Sequence, residues 1–281
     1  MDVRTYTPES GIRHPVALVR EMVSDLSRCR GLAWRLFVRD IQAQYRQTVL
    51  GLLWAFLPPV ATTAVFVLLN RGQILNVSDG IAVPYPVFVL SGMILWQTFG
   101  DAVQAPLRVV DSSAGLLSKI NFPREALIVA AVGQSAFTSC IRLLLLVPIF
   151  VMYRMMPPYS ALLFLLPYVV LLLMGSVIGV VASPFGILYK DVQRALPLLL
   201  QFWMLLTPVV YSRPDGGVLG LIAGLNPVSP LIESGRHWLV VGMAPPSGGF
   251  WLVTTATMAV ALVSWVIFRV TLPVLMDRIE A

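Results

Sequence analysis

Side chains able to do chemistry are few in this sequence and stand apart from one another. His14 and His237 are the two histidines, and neither belongs to an HExxH pair or a Ser/His/Asp arrangement that would hold zinc or activate a nucleophile. The two cysteines, Cys29 and Cys140, are too far apart in sequence to suggest a disulfide framework or a metal site; a packing role suits them better. With no GxxxxGKS/T phosphate loop, the chain does not hydrolyse ATP unaided. A sugar-lipid transferase would gather acidic or basic groups at an interface loop, and the short segment from Lys190 to Arg194 offers Asp191 alone for that role. Arg142 is the one clear ionisable residue inside an apolar run. Such an arginine either snorkels to an interface and pairs structurally, or faces a pore that carries an anionic group.

These residues must be positioned by elements that avoid water. Mean hydropathy is +0.81, with 57% hydrophobic and 12% charged residues, whereas roughly a quarter of residues are charged in soluble proteins. A bilayer core of about 30 Å needs about 20 apolar residues in a helix. Six apolar stretches, uncharged but for Arg142 in the third, approach or exceed that length: Val49 to Asn70, Ala82 to Gly100, Ala126 to Tyr153, Tyr159 to Tyr189, Ala195 to Tyr211 and Phe250 to Phe268. The expected fold is therefore an all-α integral membrane protein with six transmembrane helices. The third and fourth stretches exceed one membrane thickness, and Pro148, Pro167 and Pro184 are places for them to bend. Gly175 and Gly179 have the small-xxx-small spacing that admits a neighbouring backbone.

The formal charge of +6 forms no basic stripe with interleaved aromatics, so no nucleic acid partner is expected. The charges report topology instead. With the N-terminus inside, the inner segments hold 15 Lys and Arg residues and the outer segments four, which places both termini in the cytoplasm. The first 48 residues carry eight arginines and no signal-peptide core, so insertion is expected to rest on the first span.

Between Pro15 and Arg46 apolar residues recur at helical spacing. Val16, Val19, Val23 and Leu26 form one stripe; Trp34, Phe37, Ile41 and Tyr45 form a second, opposite Arg35, Arg39, Gln42 and Arg46. This pattern suits an amphipathic helix in the inner interface, or a small soluble helix packed on a partner. Val218 to Ile232 is apolar but interrupted by Gly220, Gly224, Pro227 and Pro230. Too short and broken to span, it reads as a re-entrant hairpin before the last span. The segment from Asp101 to Glu125 sets Leu116, Leu117, Ile120 and Phe122 among polar residues. It is either a helix that docks on a cytoplasmic partner or a lid on the chain's own helix ends.

Four strings carry a family resemblance: Arg39 through Trp54 (RDIQAQYRQTVLGLLW), Leu116 through Glu125 (LLSKINFPRE), Tyr189 through Val192 (YKDV), and Asn226-Pro227. In order and spacing the chain resembles the ABC-2 type permease subunit of bacterial polysaccharide exporters, the family that exports O-antigen, capsule and teichoic acid. The resemblance implies residues 1–48 as a cytoplasmic or interfacial amphipathic region and 49–281 as the transmembrane domain. It implies a bacterial inner-membrane homodimer bound to two copies of a separate ABC ATPase, with ATP and Mg held by that partner and no cofactor or metal in this chain. Ser112, Leu116, Leu117, Lys119, Ile120 and Phe122 would form the ATPase-coupling helix. The hairpin, with Asn226, Pro227, Pro230, Glu233 and Arg236, would frame the outer exit. The substrate would be a lipid-linked polysaccharide.

A hydrated polymer must slide, so weakly stacking rings suit a lining better than charges do. Trp54, Phe56, Phe66, Trp203 and Tyr211, with Arg142, are the channel candidates, although aromatics near an interface also serve as anchors. Two other readings remain: an ABC-2 exporter of a drug or small lipid, and a membrane-bound sugar-lipid transferase.

Overall fold

A computed structural model describes residues 24–26, 28–46, 48–74, 81, 83–113, 115, 123–214, 216–242 and 247–280, apart from the side chains of 270 and 272–280. The described residues are mostly helical and contain no strand. In chain order the α-helices are α1 (Arg30–Tyr45), α2 (Leu57–Arg71), α3 (Tyr85–Ser112), α4 (Glu125–Leu143), α5 (Leu146–Met152), α6 (Leu165–Leu188), α7 (Lys190–Leu206), α8 (Gly217–Leu225), α9 (Ser229–Arg236) and α10 (Gly248–Glu280). Short 3₁₀ turns at Gly51–Ala55 and Tyr159–Phe164 lead into α2 and α6, and a π-helical turn at His237–Val241 follows α9.

Four helical stretches are long and apolar enough to cross a membrane: Tyr85–Ser112, Glu125–Met152, Tyr159–Leu188 and Gly248–Arg269. Four of the six expected spans thus coincide with full-length helices, and the other two runs form helices too short for that length. In the first, Gly51 takes a left-handed φ of +50°, and the run becomes a 3₁₀ turn followed by the 15 residues of α2. In the fifth, the 17-residue α7 stops where Thr207 and Pro208 leave helical geometry. The second span was expected to end at Gly100 but continues to Ser112, because helix-compatible residues follow and the chain helix tolerates Pro106. The long third run breaks between α4 and α5 at Leu144 and Leu145. There the amides bond three residues back, and Pro148 removes the donor that would have reached Leu144.

The core is organised around α3, whose side chains are nearly all buried. It packs along α6 on one side and meets α4, α2 and α7 on others, while α10 packs on the far side of α6. The closest approach is between α3 and α6. A methyl group added at Gly175 would stand 2.5 Å from the Phe99 carbonyl oxygen and 2.7 Å from the Ala102 Cβ. One added at Gly179 would strike the Val103 carbonyl and come within 2.9 Å of Pro106. These two glycines, one turn apart, let the backbones touch.

The N-terminal helix α1 lies on α4, with one ring of the aromatic stripe, Phe37, in the contact. Cys29, Ala33 and Leu36 are the buried residues, and Phe37 joins them against Gly133 and edge-on to Phe137. Trp34 points away and is 65% exposed. Small residues face the bundle because they allow a close seat; the indole remains on the outer side.

Gly179→Ile should drive α6 off α3. Overpacking of this kind costs about 1–3 kcal/mol, read as a fall in melting temperature of the purified protein. Leu262→Ile, on an exposed face of α10, should leave the melting temperature unchanged.

Candidate functional site

Hydrogen bonds separate the bundle into two polar ends. At one end, two of the four motif strings meet at the last turn of α3. Arg39 of α1 donates to Ser113 Oγ at 3.1 Å and Ser112 Oγ at 3.3 Å, and also pairs with Asp40. Lys190, at the start of α7, pairs with Asp111 at 2.6 Å. Both cations therefore grip the last turn of α3, immediately before the segment 116–122. Exposed pairs like these add little stability; their effect is to fix direction. Beside them is a cavity of about 380 Å³ lined by Asp40, Gln44, Arg108, Ser112 and Gln134. Of the coupling candidates, Ser112 is exposed at the end of α3, whereas Leu116, Leu117, Lys119, Ile120 and Phe122 lie outside the described residues.

A buried ionic cluster completes this end. Arg269 of α10 reaches Glu125 of α4 at 2.6 Å and Asp25, ahead of α1, at 3.0 Å, with both acids 3–4% exposed. It binds the N-terminal segment to the last span.

Halfway along, Arg142 is 6% exposed. Its Nε donates to the Ala55 carbonyl at 3.0 Å, and its Nη1 pairs with Asp101 of α3. The guanidinium thus holds the end of the 3₁₀ turn that carries Trp54, and its charge is met within the chain.

At the other end, α7 breaks into the segment Thr207–Tyr211, whose carbonyls have no helical partners. Arg236 donates to Pro208 O at 2.8 Å and Val209 O at 3.0 Å, and Tyr85 donates to Val210 O at 3.0 Å. The guanidinium also stacks on Phe88, 3.6 Å from the ring centre. Asn226 ties α8 and α9 to the same break: its Nδ2 donates to Thr207 Oγ1, and its Oδ1 accepts from Trp203 Nε1 and the Val228 amide. Trp203 in turn packs edge-on against Phe99 and Trp96. Glu233 is half-buried, with Arg213 and Arg236 as its nearby cations.

The family model for the ABC-2 type transporter matches residues 32–240. The chain belongs to this family. It is 28% identical over 222 residues to the O-antigen export system permease protein RfbA of Myxococcus xanthus, covering 76% of this chain and 82% of that protein. A protein of the same name from Klebsiella pneumoniae is 24% identical over 216 residues, 73% of this chain and 78% of its own length. The polysialic acid transport protein KpsM of Escherichia coli is 23% identical over 168 residues, 59% of this chain and 64% of its own.

Within this ABC-2 chain the channel candidates occupy different settings. Trp54 is 50% exposed, while Phe56, Phe66, Trp203 and Tyr211 are half-buried. The structure brings Trp203 to Asn226 and Arg142 to the turn behind Trp54. Among the exit residues Pro227 is exposed, Pro230 half-buried and Arg236 buried. Asp101, Tyr85 and Thr207 were missed. Asp101 directly follows the uncharged run that was taken to end at Gly100, and unbroken helix-compatible residues beyond it were the available signal.

Arg142→Met should strand the Asp101 carboxylate. Removing one partner of such a pair costs about 3–5 kcal/mol, checked by thermal melting. The double variant Arg142→Met/Asp101→Leu should recover much of that loss. Export that recovers with it marks the pair as structural, and export that stays absent marks Arg142 as a pore cation.

Proposed function

We propose that this chain is the channel-forming permease of an ATP-driven exporter that moves lipid-linked polysaccharide across a bacterial inner membrane. The observation that carries the reading is the grip of Arg39 and Lys190 on the last turn of α3. A separate ATPase needs one place to push, and this arrangement transmits a push on segment 116–122 to three helices together. The relatives' names supply the substrate class: O-antigen and polysialic acid are both long glycans.

In this reading the chain crosses the bilayer six times. The 3₁₀ turn Gly51–Ala55 and α2 together measure roughly 32 Å, and α7 roughly 25 Å before its extended exit, against a hydrocarbon core of about 30 Å. The end bearing Arg39, Arg124, Lys190 and Arg269 is cytoplasmic by its excess of cations, and both termini lie there. The α1 helix, with Trp34 outward, lies in the inner interface. Helices α8 and α9 form a re-entrant hairpin in the outer leaflet. The exposed apolar faces of α2 and α7, including Leu57, Val60, Leu68, Leu199, Phe202 and Leu206, meet a second copy. A homodimer with two ATPase subunits, which bind ATP and Mg, encloses the path, and Trp54 is placed toward it.

Replacing Leu116 and Leu117 with Asp should detach the ATPase while the melting temperature of the permease holds, read by co-purification from membranes. A cysteine at Ser112, exposed at the end of α3, should be labelled from the cytoplasmic side. The deciding measurement is ATP hydrolysis by the co-expressed complex with and without lipid-linked glycans; indifference to every glycan would overturn the reading.

A further inference from the structure

A cavity of about 360 Å³ opens at the hairpin end, between the start of α3, the chain leaving α7, and the junction of α9 with the π-helical turn. Its polar lining comprises Ser212, Arg213, Glu233, Arg236 and His237, with Phe88 as the ring at its wall. That volume falls in the range of small-molecule sites, roughly 300–1,000 Å³.

Arg236 is already committed. Both terminal nitrogens bond to backbone carbonyls, and the guanidinium is stacked on Phe88, so it fixes the wall and cannot swing to meet a ligand. Glu233 is different: its side chain lines the cavity, and its Oε1, shut off from solvent, has no hydrogen-bond partner among the described residues, so a small shift of the side chain would offer a ligand an unmet acceptor. Arg213 lies across α8, where a methyl group at Gly224 would come within 2.7 Å of its Nη2. One acceptor and one donor of opposite charge therefore face the cavity from different elements. The π-helical turn at His237–Val241 adds a second feature, since such turns frequently occur at functional positions.

Charge selects the class of occupant. A phosphate or other simple anion could pair with Arg213 but brings no donor for the unmet Glu233 oxygen, and a metal cation would be repelled by Arg213 and Arg236. A neutral polyhydroxylated ring meets both demands, because each hydroxyl donates one hydrogen bond and accepts others. We propose that this cavity is a saccharide subsite: Glu233 accepts a hydroxyl proton of one pyranose unit, and Arg213 donates to an oxygen of the same unit. The inference rests on the glycan-export reading and adds to it a defined point at which the emerging chain is held. Binding there is weak, with a Kd on the order of 1 mM, because a chain held tightly at one unit could not advance.

The test uses the permease with its ATPase in lipid nanodiscs, titrated with free glucose, galactose, mannose, rhamnose and N-acetylglucosamine and observed by saturation-transfer NMR. At least one sugar should give a signal that falls at least fivefold in Glu233→Gln and in Arg213→Ala, with melting temperatures unchanged. Glu233→Gln is nearly isosteric and guards against simple misfolding. Absence of any sugar signal, or a signal indifferent to both variants, would overturn the subsite. So would inorganic phosphate that displaces the sugar and binds more tightly in Glu233→Gln. ATP-driven export of lipid-linked glycan, measured with the same complex in proteoliposomes, separates the two claims. Export without a sugar signal removes the subsite and leaves the transporter; a Glu233-dependent signal without export does the reverse.

Discussion

Backbone carbonyls and amides have no water to turn to inside hydrocarbon, so every departure from helix must find its partners within the chain. This constraint explains where the polar side chains are. The break after α7 exposes a run of carbonyls, and Arg236, Tyr85 and Asn226 supply their neighbourhood with donors. The 3₁₀ turn before α2 ends at Ala55, and Arg142 crosses from α4 to meet that carbonyl. Both buried arginines thus serve irregular backbone first, and their charges are balanced by Asp101 in one case and by Glu233 at longer range in the other.

Close packing then makes α3 a rigid strut. Gly175 and Gly179 bring α6 into backbone contact with it, and at Gly92 its surface meets the Val209 carbonyl directly. Arg39 and Lys190 hold its other end. One continuous helix therefore joins the base of segment 116–122 to the turn that anchors α8 and α9.

The parts of this arrangement governed by local pattern were legible in the sequence. Apolar runs located the four full-length spans, the glycine spacing indicated the α3–α6 contact from one side, and the Gly/Pro interruptions in 218–232 marked two short helices. Long-range pairing was not legible. Asp101 and Arg142 are far apart in the chain, and only helix packing brings them together; an acid just past an apolar run looks like the end of that run. Which side of α1 meets α4 was not legible either: the aromatic stripe is split, with Phe37 in the contact beside Cys29, Ala33 and Leu36, and Trp34 turned outward. Asn226 was recognised as part of a motif, but its partners Trp203 and Thr207 depend on how α7 ends.

The cluster of Asp25, Glu125 and Arg269 has a consequence for biogenesis. The ribosome delivers the two acids early, and the cation that balances them arrives only with the final helix. Until then the N-terminal segment cannot bury its carboxylate at acceptable cost. Docking of α10 against α4 and the N-terminal segment is thereby the condition for burying these two acids.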